Sequence, residues 1–177
     1  MKSYAKSQKE YLRDEEGRII INMNVKNDDN FLSPFSSSET PVISSEVADF
    51  IEKSSKGTLP GESYTLRIKS NCVDDEEKLI YKKAIFQYYD EELAAKSREI
   101  RKNRLIALIL GIFGIAVLAI ALIIDYNLSS PIWSEVIDIV AWVLVWESVY
   151  LELFSNRQDK LKIKYYQAYK DMKIEYK

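Results

Sequence analysis

Residues 138–150 read DIVAWVLVWESVY, an apolar run interrupted by side chains that can do chemistry. Asp138 and Glu147 are carboxylates, able to hold a proton or accept a hydrogen bond. Trp142 and Trp146 each supply one indole N–H donor. At about 100° per residue, Asp138, Trp142 and Val149 share a helix face, with Trp146 and Glu135 beside them. Trp142 follows Asp138 by four positions, and long helical side chains lean toward the N-terminus, so its indole is expected to reach the Asp138 carboxylate. Glu147 points elsewhere, with Val136, Val140 and Val143, so the two acids do not form one carboxylate pair.

Glu147 is the harder group to satisfy. Counted from Val143 as the middle of the run, it lies roughly 6 Å from that plane. An Asp at the centre of a membrane helix costs about 2.5–3.5 kcal/mol on insertion scales, and a Glu is of the same order. Four outcomes are open. Glu147 can be protonated or near water. It can sit near the cytoplasmic interface and pair with a flanking base such as Arg157. It can meet another subunit, or it can line a water-filled path.

The rest of the chain is poor in catalytic chemistry. It has no histidine, so the commonest general base and metal ligand is missing. Its single cysteine, Cys72, excludes an intrachain disulfide and a Cys-rich zinc site. There is no P-loop, no G-x-G-x-x-G and no nucleophile elbow. The VDDEEK run is read as a helix start rather than a metal site, and the tyrosines of YKKAIFQYY and KYYQAY as packing residues rather than a base-stacking surface. A net charge of −2 excludes a globally basic nucleic-acid binder. No catalytic, cofactor-binding or metal-binding residue is assigned, and the chain is read as not an enzyme.

The elements around the acidic run explain its setting. Apolar residues make up 47% of the chain, yet mean hydropathy is −0.22, so the apolar residues are concentrated. LIALILGIFGIAVLAIALII, residues 105–124, contains no polar side chain; at about 1.5 Å per residue it spans roughly 30 Å, the hydrocarbon thickness. DYNLSSP is a tight connection, with Ser130 as cap and Pro131 as first helical residue. A second span is expected over 132–154. Lys96, Arg98, Arg101, Lys102 and Arg104 precede the first span, Arg157, Lys160, Lys162 and Lys164 follow the second, and the connection has no Lys or Arg. The positive-inside rule then places both termini in the cytoplasm of a multi-pass inner (plasma) membrane protein. Trp133 and Tyr126 suit an outer aromatic belt, while Arg98, Arg101, Lys102 and Arg104 suit lipid headgroups. Ala107, Gly111, Gly114, Leu118 and Ala121 make a small-residue stripe, expected to dock the Trp142/Trp146 face of the second span, or else a second copy of the chain.

The remainder reads as a small cytoplasmic α/β module. The first residues, MKSYAKSQKEYLRDEEGR, have no apolar core of the signal-peptide kind. GRIIINMNV alternates as a strand with Ile19, Ile21, Met23 and Val25 on one face. SSEVADFIEKSSKG is a short helix, capped by Ser44 or Ser45, with an apolar face of Val47, Phe50 and Ile51 and Gly57 at its end. SYTLRIKS is a second strand. Asp74 and Glu77 have capping-box spacing at the start of a long helix that enters the first span without a break, roughly 75 Å from Asp74 to Ile124, or else with a kink near Asn103. A C-terminal helix carries Leu161, Tyr165, Ala168, Tyr169 and Met172, and MKIEYK is expected to add a third strand. The fold class is therefore α+β: a two-helix transmembrane hairpin with a module of about three strands. The regions are 1–104 (module and juxtamembrane helix), 105–154 (hairpin) and 155–177 (C-terminal helix and strand).

Taken together, DEEGRIIINMNV, LRIKSN, DDEEKLIYKKAIFQYY, DIVAWVLVWESV and the terminal KIEY resemble a group of small uncharacterised bacterial two-transmembrane proteins with a W-x-x-x-W-E second span. The resemblance covers most of the chain and implies no particular activity. In outline the hairpin is also similar to the two-span SLATT effectors of bacterial conflict systems, although the β-rich N-terminal segment departs from their mainly helical pattern. The expectation is a non-enzymatic inner-membrane protein that presents a binding or scaffold module. Its partners would be membrane lipids, a second copy of the chain, and a cytoplasmic protein or small molecule, with no nucleic acid and no cofactor. The alternative, implied by the second likeness, is an oligomeric pore-forming or membrane-disrupting effector of a bacterial defence or stress system.

Overall fold

The computed structural model describes residues 11–37, 39–128 and 131–177, and leaves out the side chains of residues 125, 127, 128 and 131–134. It is a mixed α/β structure with a three-stranded parallel sheet and one long apolar helix. The chain divides into two compact units. One is built from the chain up to Leu93 together with Lys164–Lys177; the other is Ala94–Ile163. The expected belt residue Trp133 and the expected cap Ser130 lie outside the described side chains, as do residues 1–10.

In the first unit, strands β1 (Ile19–Val25), β2 (Tyr64–Ser70) and β3 (Lys173–Tyr176) lie in the order β1-β2-β3. Both pairings are parallel, with Ile19 opposite Tyr64 and Thr65 opposite Lys173. Parallel neighbours need long crossovers. Helix α1 (Ser45–Ser54) lies in the first. The second contains α2 (Asp75–Leu128), α3 (Pro131–Tyr150), a π-helical turn (Leu151–Ser155) and α4 (Asn156–Lys170). Every apolar segment of the second unit is thus an insertion between two adjacent strands of one sheet.

Alternation sets the core. Ile19, Ile21, Met23 and Val25 of β1 and Tyr64, Leu66 and Ile68 of β2 are buried on one face. Their side chains pack with Phe31, Ile43, Ala48, Ile51, Ala84 and Ile85. The apolar face of α1 differs from expectation: Ala48 and Ile51 are buried, whereas Phe50 is 40% exposed. The small Ala48 lets the helix lie close, and Phe50 falls outside the arc centred on those two positions. Ser44 caps α1 by accepting from the Val47 amide at 3.4 Å. Gly57 (φ 106°) stands two residues beyond the C-cap Ser55. Hydroxyls of four tyrosines serve this end of α1: Tyr169 bonds Ser55, Tyr64 bonds Thr58, and Tyr165 and Tyr11 donate to the carbonyls of Thr58 and Lys56.

The capping box at the start of α2 is formed as the spacing implied. The Glu77 amide donates to Asp74 and the Asp74 amide to Glu77, both at 2.8 Å. Carboxylates here also suit the positive end of the helix dipole. The helix runs through Asn103 to Leu128 without a break. Pro131 begins α3, where its missing N–H costs no hydrogen bond. The expected second span to 154 is not one α-helix, because its last turn widens into the π-helical turn at Leu151.

Candidate functional site

In the second unit, α2 and α3 meet along the small-residue stripe, but with a different face of α3 than expected. A Cβ built on Gly111 would stand 2.9 Å from Ser148 Oγ, and one on Gly114 would stand 2.8 Å from Val145 Cγ2. Ala107, Ala121 and Ala141 are buried. Ser148 Oγ donates to the Ala107 carbonyl at 2.7 Å. The order of these contacts makes the two helices antiparallel. Trp142 and Trp146 are 63% and 64% exposed, which corrects the expected docking of the indoles on the stripe. A glycine groove admits Ala, Ser and Val side chains at close approach; an indole there would push the backbones apart. Nor does any hydrogen bond join Trp142 to the half-buried Asp138 among the described residues.

These contacts fix the height of the acids. Glu147 lies between Val145, opposite Gly114, and Ser148, opposite Gly111. It is therefore level with Ile112, seven residues or about 10 Å inside Leu105. It is exposed on the outer side of the pair and makes no salt bridge or hydrogen bond among the described residues. The pairing with Arg157 weighed from the sequence is not formed. The nearest base on α2, Arg104, instead approaches Glu152 at 3.6 Å. Asp138 lies about 10 Å from Val145 in the opposite direction, toward the start of α3.

The expected headgroup residues separate into two groups. Arg98, Arg101 and Lys102 are exposed on adjacent faces of α2 and form no salt bridge among the described residues. Arg104 is tied to Glu152. Lys96 is held by Glu99 at 2.5 Å and Asp159 at 3.3 Å. The hydrogen bond to Glu99 raises the Lys96 pKa, and the same contact lowers that of Glu99. Sequence reading missed Ser148, whose signal was a lone hydroxyl three residues after Val145 on the stripe-facing side. It also missed the Lys96–Asp159 link, which no local spacing encodes.

The first unit has its own concavities at the carboxyl ends of the strands. A cavity of about 340 Å³ beyond β1 has Met23, Phe31, Val47 and Phe50 as apolar walls, with Lys26 and Asn27 among its polar lining. A second, about 270 Å³, lies between Asn24–Lys26 and Lys69–Cys72. The outer sheet face is polar. Glu175 lies 3.1 Å from Lys173 and 3.2 Å from Arg67, and these contacts lower its pKa, Lys173 more than Arg67. Buried Thr65 donates to Asp14 at 2.7 Å, the main cause of that carboxyl's lowered pKa. No group of three or more His, Cys, Asp or Glu side chains is placed to hold a metal ion among the described residues.

The class that these features define is a mixed α/β protein with one helix long and apolar enough to cross a membrane. No family model, curated protein or solved structure matches the chain.

Proposed function

We propose that the chain is a non-enzymatic, two-span protein of the bacterial inner membrane, which holds a small cytoplasmic binding module at the membrane surface. One observation carries this reading. Strand β3 hydrogen-bonds to β2 in the same sheet, although residues 71–172 separate them. A chain that crosses the bilayer at 105–124 must therefore cross back before Lys173, and α3 is the apolar helix available for the return. The exposed Leu108, Ile112, Phe113, Ile115 and Leu122 support the crossing, since apolar surface on this scale is stable in lipid rather than water. The exposed cations Arg98, Arg101 and Lys102 suit anionic headgroups. The cavity beyond β1 supports the binding role, because its apolar walls and few polar groups are the usual lining of a small-molecule site.

Cysteine labelling in spheroplasts tests the topology. The exposed thiol of Cys72 is expected to react with an impermeant maleimide only after lysis. In a Cys72→Ser background, Tyr126→Cys is expected to react in intact spheroplasts. Labelling of both from the same side sinks the reading.

A second reading, an oligomeric effector that opens the membrane, draws on the exposed Glu147, which makes no ion pair among the described residues. It predicts depolarisation on overexpression, altered by Glu147→Gln. An unchanged membrane potential at high expression rules it out.

A further inference from the structure

We propose that the outward face of α3 is an interface with a second copy of this chain, in which the Glu147 carboxyls of the two copies meet. The inference rests on the two-span reading above. Val136, Val140, Val143, Glu147 and Tyr150 follow one another at spacings of 4, 3, 4 and 3 residues, the a/d seam of a coiled coil. All five are exposed. They lie away from Ala141, Leu144, Val145 and Ser148, which face α2. The small-residue stripe of α2 is already filled by α3, so it is not open to another copy.

The occupant follows from the height of Glu147. Residues 105–124 carry no ionisable or hydrogen-bonding side chain, and hydrocarbon supplies none. Tyr150, three residues on, makes no hydrogen bond to Glu147 among the described residues; the nearest charged groups along the two helices are Asp138, Glu152 and Arg104, and Arg104 approaches Glu152 at 3.6 Å. Copies inserted in one orientation can be related by a two-fold axis only along the membrane normal. Their α3 helices then run parallel, and each residue meets its own equivalent at equal depth. Glu147 thereby gains a hydrogen-bonding partner at its own depth. A carboxyl group can both donate and accept, so two of them side by side can hydrogen-bond to each other. With Val140 and Glu147 at a and Val143 at d, the seam has a β-branched residue and a single polar residue at a positions, the pattern that fixes register in parallel dimers.

The test uses the full chain in native membranes, in a Cys72→Ser background. Val143→Cys is expected to form a covalent dimer on oxidation, and Leu122→Cys, on the exposed side of α2, is not. Adding Glu147→Gln is expected to keep the Val143→Cys cross-link, because carboxamides hydrogen-bond to each other. Adding Glu147→Leu is expected to reduce it by about tenfold. Retained cross-linking in Glu147→Leu overturns the role of Glu147. Membrane-bound protein without the Val143→Cys cross-link overturns the interface and leaves the two-span reading standing. A cross-linked product of any mass other than twice the chain overturns it in favour of another protein on this face. Recovery of the chain in the soluble fraction overturns both readings.

Discussion

Gly114 of α2 and Val145 of α3 approach so closely that no side chain fits between them. A Cβ at position 114 would lie 2.8 Å from Val145 Cγ2 and 3.1 Å from the Val145 backbone nitrogen. Backbone cannot turn aside as a side-chain terminus can. Gly114→Ala is therefore expected to destabilise the helix pair by about 1–3 kcal/mol, the usual cost of overpacking. Gly111→Ala is expected to cost less, since it meets only the Ser148 side chain. Unfolding of the purified protein in mild detergent gives the comparison. Gly114→Ala at or above wild-type stability would contradict the α2–α3 contact.

The hydroxyl of Ser148 makes a side-chain hydrogen bond between the two helices, to the Ala107 carbonyl at 2.7 Å. Interhelical bonds of this kind average about 0.6 kcal/mol in a membrane and reach about 1.7. Ser148→Ala is expected to lose that much, and Ser148→Leu considerably more, because its extra carbons would press on Gly111. The same detergent unfolding series ranks them. If Ser148→Leu proves no worse than Ser148→Ala, Ser148 does not face Gly111.

What could be read from the sequence follows from locality. The alternation of Ile19 to Val25, the Ser44 cap and the Asp74–Glu77 box are decided within a few residues, and all three form as their spacing implies. The terminal strand also joins the sheet. The small-residue stripe was legible because Gly and Ala mark close approach whatever approaches. Its occupant was not. Hydrophobicity ranks Trp142 and Trp146 above Ser148 as packing residues, but a glycine groove admits a small hydroxyl and rejects an indole. Phe50 shows the same limit in the first unit, where Ala48 wins the buried position by being small. Pairings across long separations, such as Lys96 with Asp159, leave no local pattern at all.

Two tyrosines of the first unit separate a satisfied hydroxyl from an orphan. Tyr169 OH lies 2.5 Å from Ser55 Oγ. The buried Tyr89 hydroxyl has no hydrogen-bond partner among the described residues. Burial raises the pKa of both, so each holds its proton at neutral pH. Tyr169→Phe removes one hydrogen bond and is expected to cost about 1 kcal/mol. Tyr89→Phe removes a polar group that burial has stripped of water, and is expected to be neutral or stabilising by about the same amount. Urea unfolding followed by near-UV circular dichroism measures both. A destabilised Tyr89→Phe would show that its hydroxyl has a partner in solution.

Acid is expected to loosen the first unit through three carboxyls. Asp14 accepts from Thr65, Glu62 from Arg13, and Glu175 from Lys173 and Arg67, and all three pKa values are lowered by these contacts. The Asp14 site is built by a turn in which Gly17 adopts φ 79°, bringing the Arg18 amide 2.8 Å from the carboxylate. A folded pKa below the unfolded one means that the unfolded chain binds more protons in the window between them. Stability then rises with pH across that window. The contribution is complete above the unfolded values, about 3.9 for Asp and 4.3 for Glu, and is lost as pH falls through the lowered folded values. Urea midpoints taken between about pH 6 and pH 2.5 should fall on the acid side. Thr65→Val removes the main cause of the Asp14 shift, so its midpoints should fall less steeply over the same range than those of wild type. Parallel curves for the two proteins would rule out Asp14 as a source of the acid sensitivity.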